Sequence, residues 1–256
     1  HLVEDSVRTL AFDPELFPAC SGSICGEPCR FLPDQVIPSD QAGDLASCDA
    51  TSSCVPVAFV ETGGRFSAKS CGSVAGFEGR CLSTCLPAVA AKADLLPQAD
   101  CAGGELCVPC YDPFDGTDTG ACGVSCDAGP AQPKQVLPSC CQDKGGGTCV
   151  PSSMVSADQQ DQLDAEECAA AGMAGAVCVP SQILNAHLVG VPFNPVECET
   201  GVLIQQLGLG AEGGCLPECI PIVDSLPVGQ SNCAAGFKCV PCIDLNGDGT
   251  GACSPQ

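Results

Sequence analysis

Cysteine supplies 25 of the 256 residues, and no other feature restricts the possible folds as strongly. A chain that invests a tenth of its residues in cysteine reads as a disulfide scaffold. Such thiols stay oxidised only outside a glutathione-buffered cytosol, so the expected setting is extracellular or at the cell surface. The cysteines also fall into two series. The first is Cys20, Cys25, Cys29, Cys48, Cys54, Cys71, Cys81, Cys85, Cys101, Cys107, Cys110 and Cys122. The second is Cys140, Cys141, Cys149, Cys168, Cys178, Cys198, Cys215, Cys219, Cys233, Cys239, Cys242 and Cys253.

Flanking residues agree between the series. "FPAC" matches "LPSC", "SSCVP" matches "AVCVP", "FEGRCLSTCLP" matches "AEGGCLPECIP", and "CVPCYDPFDGTDTGAC" matches "CVPCIDLNGDGTGAC". Agreement over more than a hundred positions identifies a tandem duplication. The reading is a small, disulfide-rich, irregular fold: two tandem twelve-cysteine units with short helices and short strands. Residues 1–19 form an N-terminal arm that suits docking as a strand, residues 20–126 the first unit and residues 127–256 the second.

Twelve is even, so each unit can close on itself, and duplicated units are expected to pair alike. Adjacent Cys140 and Cys141 must take different partners. The spacing of Cys81 and Cys85, and of Cys215 and Cys219, predicts a helical turn with both sulfurs on one face, stapled to the nearby Cys-x-x-Cys. Cys107, Cys110, Cys122, Cys239, Cys242 and Cys253 read as structural half-cystines. Cys126 is left over, either free or bonded between molecules.

Composition narrows the function. Thirty-one acids stand against nine bases, a surface that repels nucleic acid and attracts cations. No run is long and apolar enough for membrane insertion. "HLVEDSVRTL" has neither the basic nor the apolar region of a signal peptide, so a processed chain is expected. Glycine and proline together make 52 residues, too many breakers for long helices or broad sheets. The best helix is expected within 153–173, with a turn or two over 85–96. "SCVPVAFVE" and "SVRTLAF" read as short strands. Glu166 and Glu167 read as a solvated helix face.

Three chemical readings compete. Asp244, Asn246 and Asp248, followed by a glycine, resemble the opening of an EF-hand-type calcium loop, though the closing glutamate is missing. Asp112, Asp115 and Asp118 are the counterpart set, and the same residues also suit plain turns. Calcium is thus the expected cofactor if one is bound. The Cys-x-x-Cys pairs read as disulfides rather than zinc or redox sites, for lack of a thioredoxin-like context. His1, with His187, would suit a secreted copper enzyme.

The phrases "GRCLSTCLPAV", "LLPQADCAGGELCVPCYDPFDGTDTGAC" and "CVPSSMVSADQQDQL" resemble those of uncharacterised cysteine-rich secreted repeat proteins of myxobacteria-like bacteria. That resemblance implies secretion and repeat architecture and no catalytic residue. The expected role is a structural subunit of an extracellular assembly (filament, coat or matrix), with other copies of the chain as partner. A calcium-dependent adhesin or surface binding module is the alternative, and the enzyme reading comes third.

Overall fold

A computed structural model describes residues 13, 16–17, 29–37, 42–47, 49–63, 65–124 and 127–253. The expected strand "SVRTLAF" and Cys20, Cys25, Cys48 and Cys126 lie outside them. The chain is a small, irregular, disulfide-rich protein of short helices and short antiparallel strands. It divides into two compact units, residues 1–136 and 137–256. The observed division falls ten residues beyond the expected end of the first unit. Residues 127–136 fold onto the first unit through side chains described below.

Each unit contains two three-stranded antiparallel sheets. In the first unit β1 (Cys29–Pro33), β2 (Ala46–Ser47) and β3 (Ser52–Pro56) form one, and β4 (Ser70–Gly72), β5 (Glu78–Ser83) and β6 (Glu105–Pro109) the other. The second unit has β7 (Ser139–Cys140), β8 (Gly147–Pro151) and β9 (Ala176–Pro180), then β10 (Val196–Glu199), β11 (Glu212–Pro217) and β12 (Phe237–Pro241).

Three of these sheets are one module in one register. Gly79 faces Pro109 and Cys81 faces Cys107. Gly147 faces Pro180 and Cys149 faces Cys178. Gly213 faces Pro241 and Cys215 faces Cys239. The bridges repeat as well. The outer strands are joined by Cys71–Cys107, Cys140–Cys178 and Cys198–Cys239. The middle strand is joined to the loop before the third strand by Cys81–Cys101, Cys149–Cys168 and Cys215–Cys233. The second unit is therefore itself built from two related modules, and the first unit contains one of the same kind.

The glycine is a requirement of the bridge. A Cβ on Gly147 would lie 2.8 Å from Cys178 Sγ and 3.1 Å from Cys140 Sγ, and one on Gly213 would meet Cys239 and Cys198 at 3.0 and 3.2 Å. The outer-strand disulfide passes directly over the middle strand, where no side chain fits. The first sheet departs from this plan. Cys29 faces Pro56, the place glycine holds elsewhere, and bonds Cys85. In the second unit the partner of Cys219 is Cys141, so the two units do not pair alike in this bridge. In both, however, it joins the two modules of a unit.

The predicted helical turn at Cys81 and Cys85 is not formed. Cys81 lies within β5, and its partner is Cys101 rather than the Cys-x-x-Cys. Cys215 likewise lies within β11 and bonds Cys233. Strand pairing with β6 and β12 outcompetes a turn that its two sulfurs alone would have favoured.

Helices are short, and several start at or directly after a proline. Pro56 leads into α1 (Val57–Glu61), so "SCVPVAFVE" is half strand and half helix. Pro87 opens α2 (Pro87–Ala90). Proline at a helix start loses no hydrogen bond, because its amide would be unpaired there. The expected 153–173 helix is two single turns, α3 (Ala157–Gln160) and α4 (Glu166–Ala170). Between them the Asp164 carbonyl accepts the Cys178 amide, which holds the chain extended alongside β9. Glu166 and Glu167 are both exposed in the first turn of α4, and Glu167 also accepts the Cys141 amide at 2.6 Å. The longest described helix is α5 (Ser181–Leu188), directly after Pro180.

The cores are largely sulfur. Cys29, Cys54, Cys107, Cys149, Cys168 and Cys178 are essentially inaccessible, and among the described residues no phenylalanine is among the fully buried side chains. Each bridge closing a loop of about twenty residues contributes about 3 kcal/mol by restricting the unfolded chain.

Two measurements check this architecture. Peptide mapping without reduction is expected to recover Cys71 with Cys107 and Cys198 with Cys239; a Cys107–Cys110 linkage contradicts the register. Replacing Gly79 by Ala places a Cβ 2.5 Å from the Val108 carbonyl oxygen and 3.0 Å from Cys107 Sγ. Thermal unfolding should show a loss of about 1–3 kcal/mol, with little change for Gly103→Ala, where the space is open.

Candidate functional site

The two aspartate-rich clauses follow β6 and β12. In the first, Cys110–Cys122 closes the loop, and Tyr111 pairs with Asp118 as an isolated bridge. In the second, Cys242–Cys253 closes it and Ile243 pairs with Gly249. Each clause is also pinned to its strand by a threonine. Thr119 Oγ1 donates to the Pro109 carbonyl and Thr250 Oγ1 to the Pro241 carbonyl, both at 2.5 Å.

The carboxylates are used as turn acceptors. Asp112 accepts the Phe114 amide at 2.8 Å, Asp115 the Thr117 amide at 2.7 Å and Asp118 the Gly120 amide at 2.9 Å. Asp244 Oδ1 accepts the amides of both Asn246 and Asp248, at 2.8 and 2.9 Å. The Thr117 hydroxyl and then its amide hold the Asp115 carboxyl below the ordinary range, and the amides of Asp248 and Asn246 hold that of Asp244 there. Among the described residues, the groups that bring three metal-ligand atoms within 4.8 Å are all cysteines, and all of these are disulfide-bonded. His187 is exposed in the last turn of α5, and His1 lies outside the described residues.

The densest polar cluster was not anticipated from sequence. It sits on β5, where Arg80 is 5 % exposed. Its Nε donates to Asp127 Oδ2 at 2.6 Å and its Nη2 to Asp127 Oδ1 at 3.1 Å. Nη1 donates to Glu78 at 2.8 Å, and Nη2 also reaches the Gly129 carbonyl at 3.0 Å. Glu78 in turn accepts the amides of Ala131 and Gln132 at 2.9 and 2.6 Å. Residues 127–136 are thereby drawn across the first unit as a strap. Further along, Gln132, Pro133 and Gln135 share a shallow recess with Phe77 and Tyr111. Lys134 and Val136 then cover Gly116 of the first clause, leaving no room for a side chain there.

A bidentate guanidinium–carboxylate pair with both side chains under a tenth exposed is strong only while complete. Hydrogen bonding from Arg80 lowers the Asp127 carboxyl. Burial opposes ionisation of Glu78, but the bonds from Arg80, Ala131 and Gln132 outweigh it and hold that carboxyl low as well. The only advance signal was the pairing of "EGR" in the first unit with "EGG" in the second. A lone arginine that replaces glycine in a duplicated strand marks a contact its sister lacks.

No known protein family, curated protein or solved structure matches the chain. Its disulfides indicate an oxidising environment. Among the described residues no helix is long and apolar enough to cross a membrane.

Because both carboxyls are depressed, the stability they contribute is complete above their unfolded values, about 4, and is lost as the pH falls through the lower folded values. Amide exchange at Ala131 and Gln132 should therefore stay slow from neutral pH down to about 5 and lose protection in stronger acid. Arg80→Ala, which leaves Asp127 buried without its partner, should unfasten the strap already at neutral pH. Unchanged protection in that variant would rule out the anchoring role.

Proposed function

We propose that the chain is a secreted structural subunit of an extracellular assembly, a filament, coat or matrix. The observation that carries this reading is the investment of the fold in a repeated cystine-cored module. The sheet glycine, the two bridges and the closing proline recur in the same register three times. What recurs is the means of holding shape. An array of this kind resists proteolysis and denaturation because each module is closed covalently, without a large apolar core.

The surface supports the same reading. Val189, Val191, Val196, Val202, Leu203 and Leu207 are each more than half exposed, all within the second unit. Val202, Leu203 and Leu207 lie on or beside α6 (Val202–Gln206), in a stretch seven residues longer between Cys198 and Cys215 than between Cys71 and Cys81, while Val189 and Val191 follow α5 and Val196 opens β10. Exposed apolar groups gathered in one stretch mark a protein contact rather than a solvated face.

The test is sedimentation of the oxidised chain over a range of concentrations, with negative-stain electron microscopy of the same material. Species larger than the 25.7 kDa chain, ordered into fibres or sheets, are expected. A monomer at every concentration overturns the reading.

A further inference from the structure

The strap on the first unit has a counterpart position on the second unit, and among the described residues nothing covers that position. The two clauses align through their bridges and turns, so Pro113 corresponds to Leu245 and Gly116 to Gly247. Both glycines have positive φ, 71° and 85°. Pro113 is buried, whereas Leu245 is 76 % exposed. A Cβ on Gly116 would run into Lys134 and Val136 of the strap, whereas among the described residues nothing lies within 4 Å of one on Gly247. Tyr111 is half-buried beside the strap and Ile243 is 37 % exposed. Glu78 is occupied by two strap amides, while its counterpart Glu212 is exposed. One surface is thus built twice and covered once.

The repeat also indicates what belongs there. The strap, residues 127–136, is the ten-residue stretch immediately before "LPSC" of the second unit. The stretch immediately before "FPAC" of the first unit is residues 7–16, "VRTLAFDPEL". Ala11 stands at the position of Ala131 and Leu16 at that of Val136, and Leu16 is 75 % exposed. Within one chain, the segment that leads into the second unit lies on the clause face of the first.

We infer that the bare clause face of the second unit, centred on Glu212, Ile243, Leu245 and Gly247, receives residues 7–16 of a second copy of this chain. The contact continues the tandem repeat from one molecule into the next. Its backbone amides bond the Glu212 carboxylate as those of Ala131 and Gln132 bond Glu78, and its aliphatic residues cover Ile243 and Leu245. Arg80 has no counterpart, because the position is Gly214, packed against the Ala252 carbonyl. The contact between copies is therefore weaker than the strap and depends on protein concentration. Such a head-to-tail contact is heterologous, and when its rotation does not close it generates an open filament.

This inference rests on the assembly reading above and supplies its route. The experiment compares sedimentation of the full oxidised chain with three variants: Leu245→Asp, a chain lacking residues 1–12, and Val202→Asp on the separate apolar stretch. Leu245 and Val202 are exposed, so unchanged circular dichroism and melting are expected of both substitutions. Leu245→Asp and the truncation should each weaken association at least tenfold, Val202→Asp should not, and a synthetic peptide of residues 1–16 should compete. Assembly that survives both Leu245→Asp and the truncation overturns this route while leaving the assembly reading standing. A wild-type chain that never associates removes both.

Discussion

The disulfide laid across the middle strand in three of the four small sheets is the constraint on which the rest depends. It joins the two outer strands, and its sulfurs occupy the space above a glycine that faces the closing proline. A three-stranded sheet of two to six residues per strand is marginal in water by itself. Covalent closure of the outer strands makes it a stable unit. The second bridge, from the middle strand to the preceding loop, fixes how the chain returns to the third strand. Side chains that a larger domain would bury have little room in such a module, and the most deeply buried residues are half-cystines and prolines.

This economy explains the shortness of everything else. The helices stop after one or two turns because the next cysteine must return to its sheet, and α1 and α5 begin where a strand-ending proline releases the chain. The two modules of the second unit meet through Cys141–Cys219, through the Lys144–Asp224 pair at 2.8 Å, and through close approach of Gly145 to Gly236. In the first unit Cys29–Cys85 takes the joining role. The strap adds a third kind of fastening, in which a buried guanidinium and carboxylate hold the connecting chain to the unit it leaves. Polar anchoring of this kind is specific in register, because an incomplete set of partners leaves charge buried.

Particular residues show how far sequence reading reached. The cysteine spacing and the paired phrases placed the duplication and the fold class. The finer repeat was also written there, in "CVP" occurring five times and in "GRCLS", "GTCVP" and "GGCLP". It was missed because the clauses and helices between the modules differ. The spacing of Cys81 and Cys85 pointed to a helical turn, and the pattern over 153–173 to one helix. Both failed for the same reason: a strand partner distant in sequence decided the local conformation. The aspartates that resemble a calcium loop are drawn into their own turns, accepting backbone amides. The cluster of Arg80, Glu78 and Asp127 had almost no local signature, since its members are separated by up to 49 residues.

Composition and spacing alone determined that this is an oxidised, acidic, loop-rich chain of duplicated cysteine units. Those properties follow from counts and intervals, which do not depend on the path of the chain. Only the tertiary structure decided which sulfurs pair, that each sheet glycine lies beneath a bridge, and that residues 127–136 close over the first unit while the matching face of the second stays open. These depend on which strands lie side by side, and a sequence with several cysteines at similar intervals permits many pairings. Packing selects one of them, because the register of the three glycine-bearing sheets leaves room for the outer-strand disulfide only above Gly79, Gly147 and Gly213.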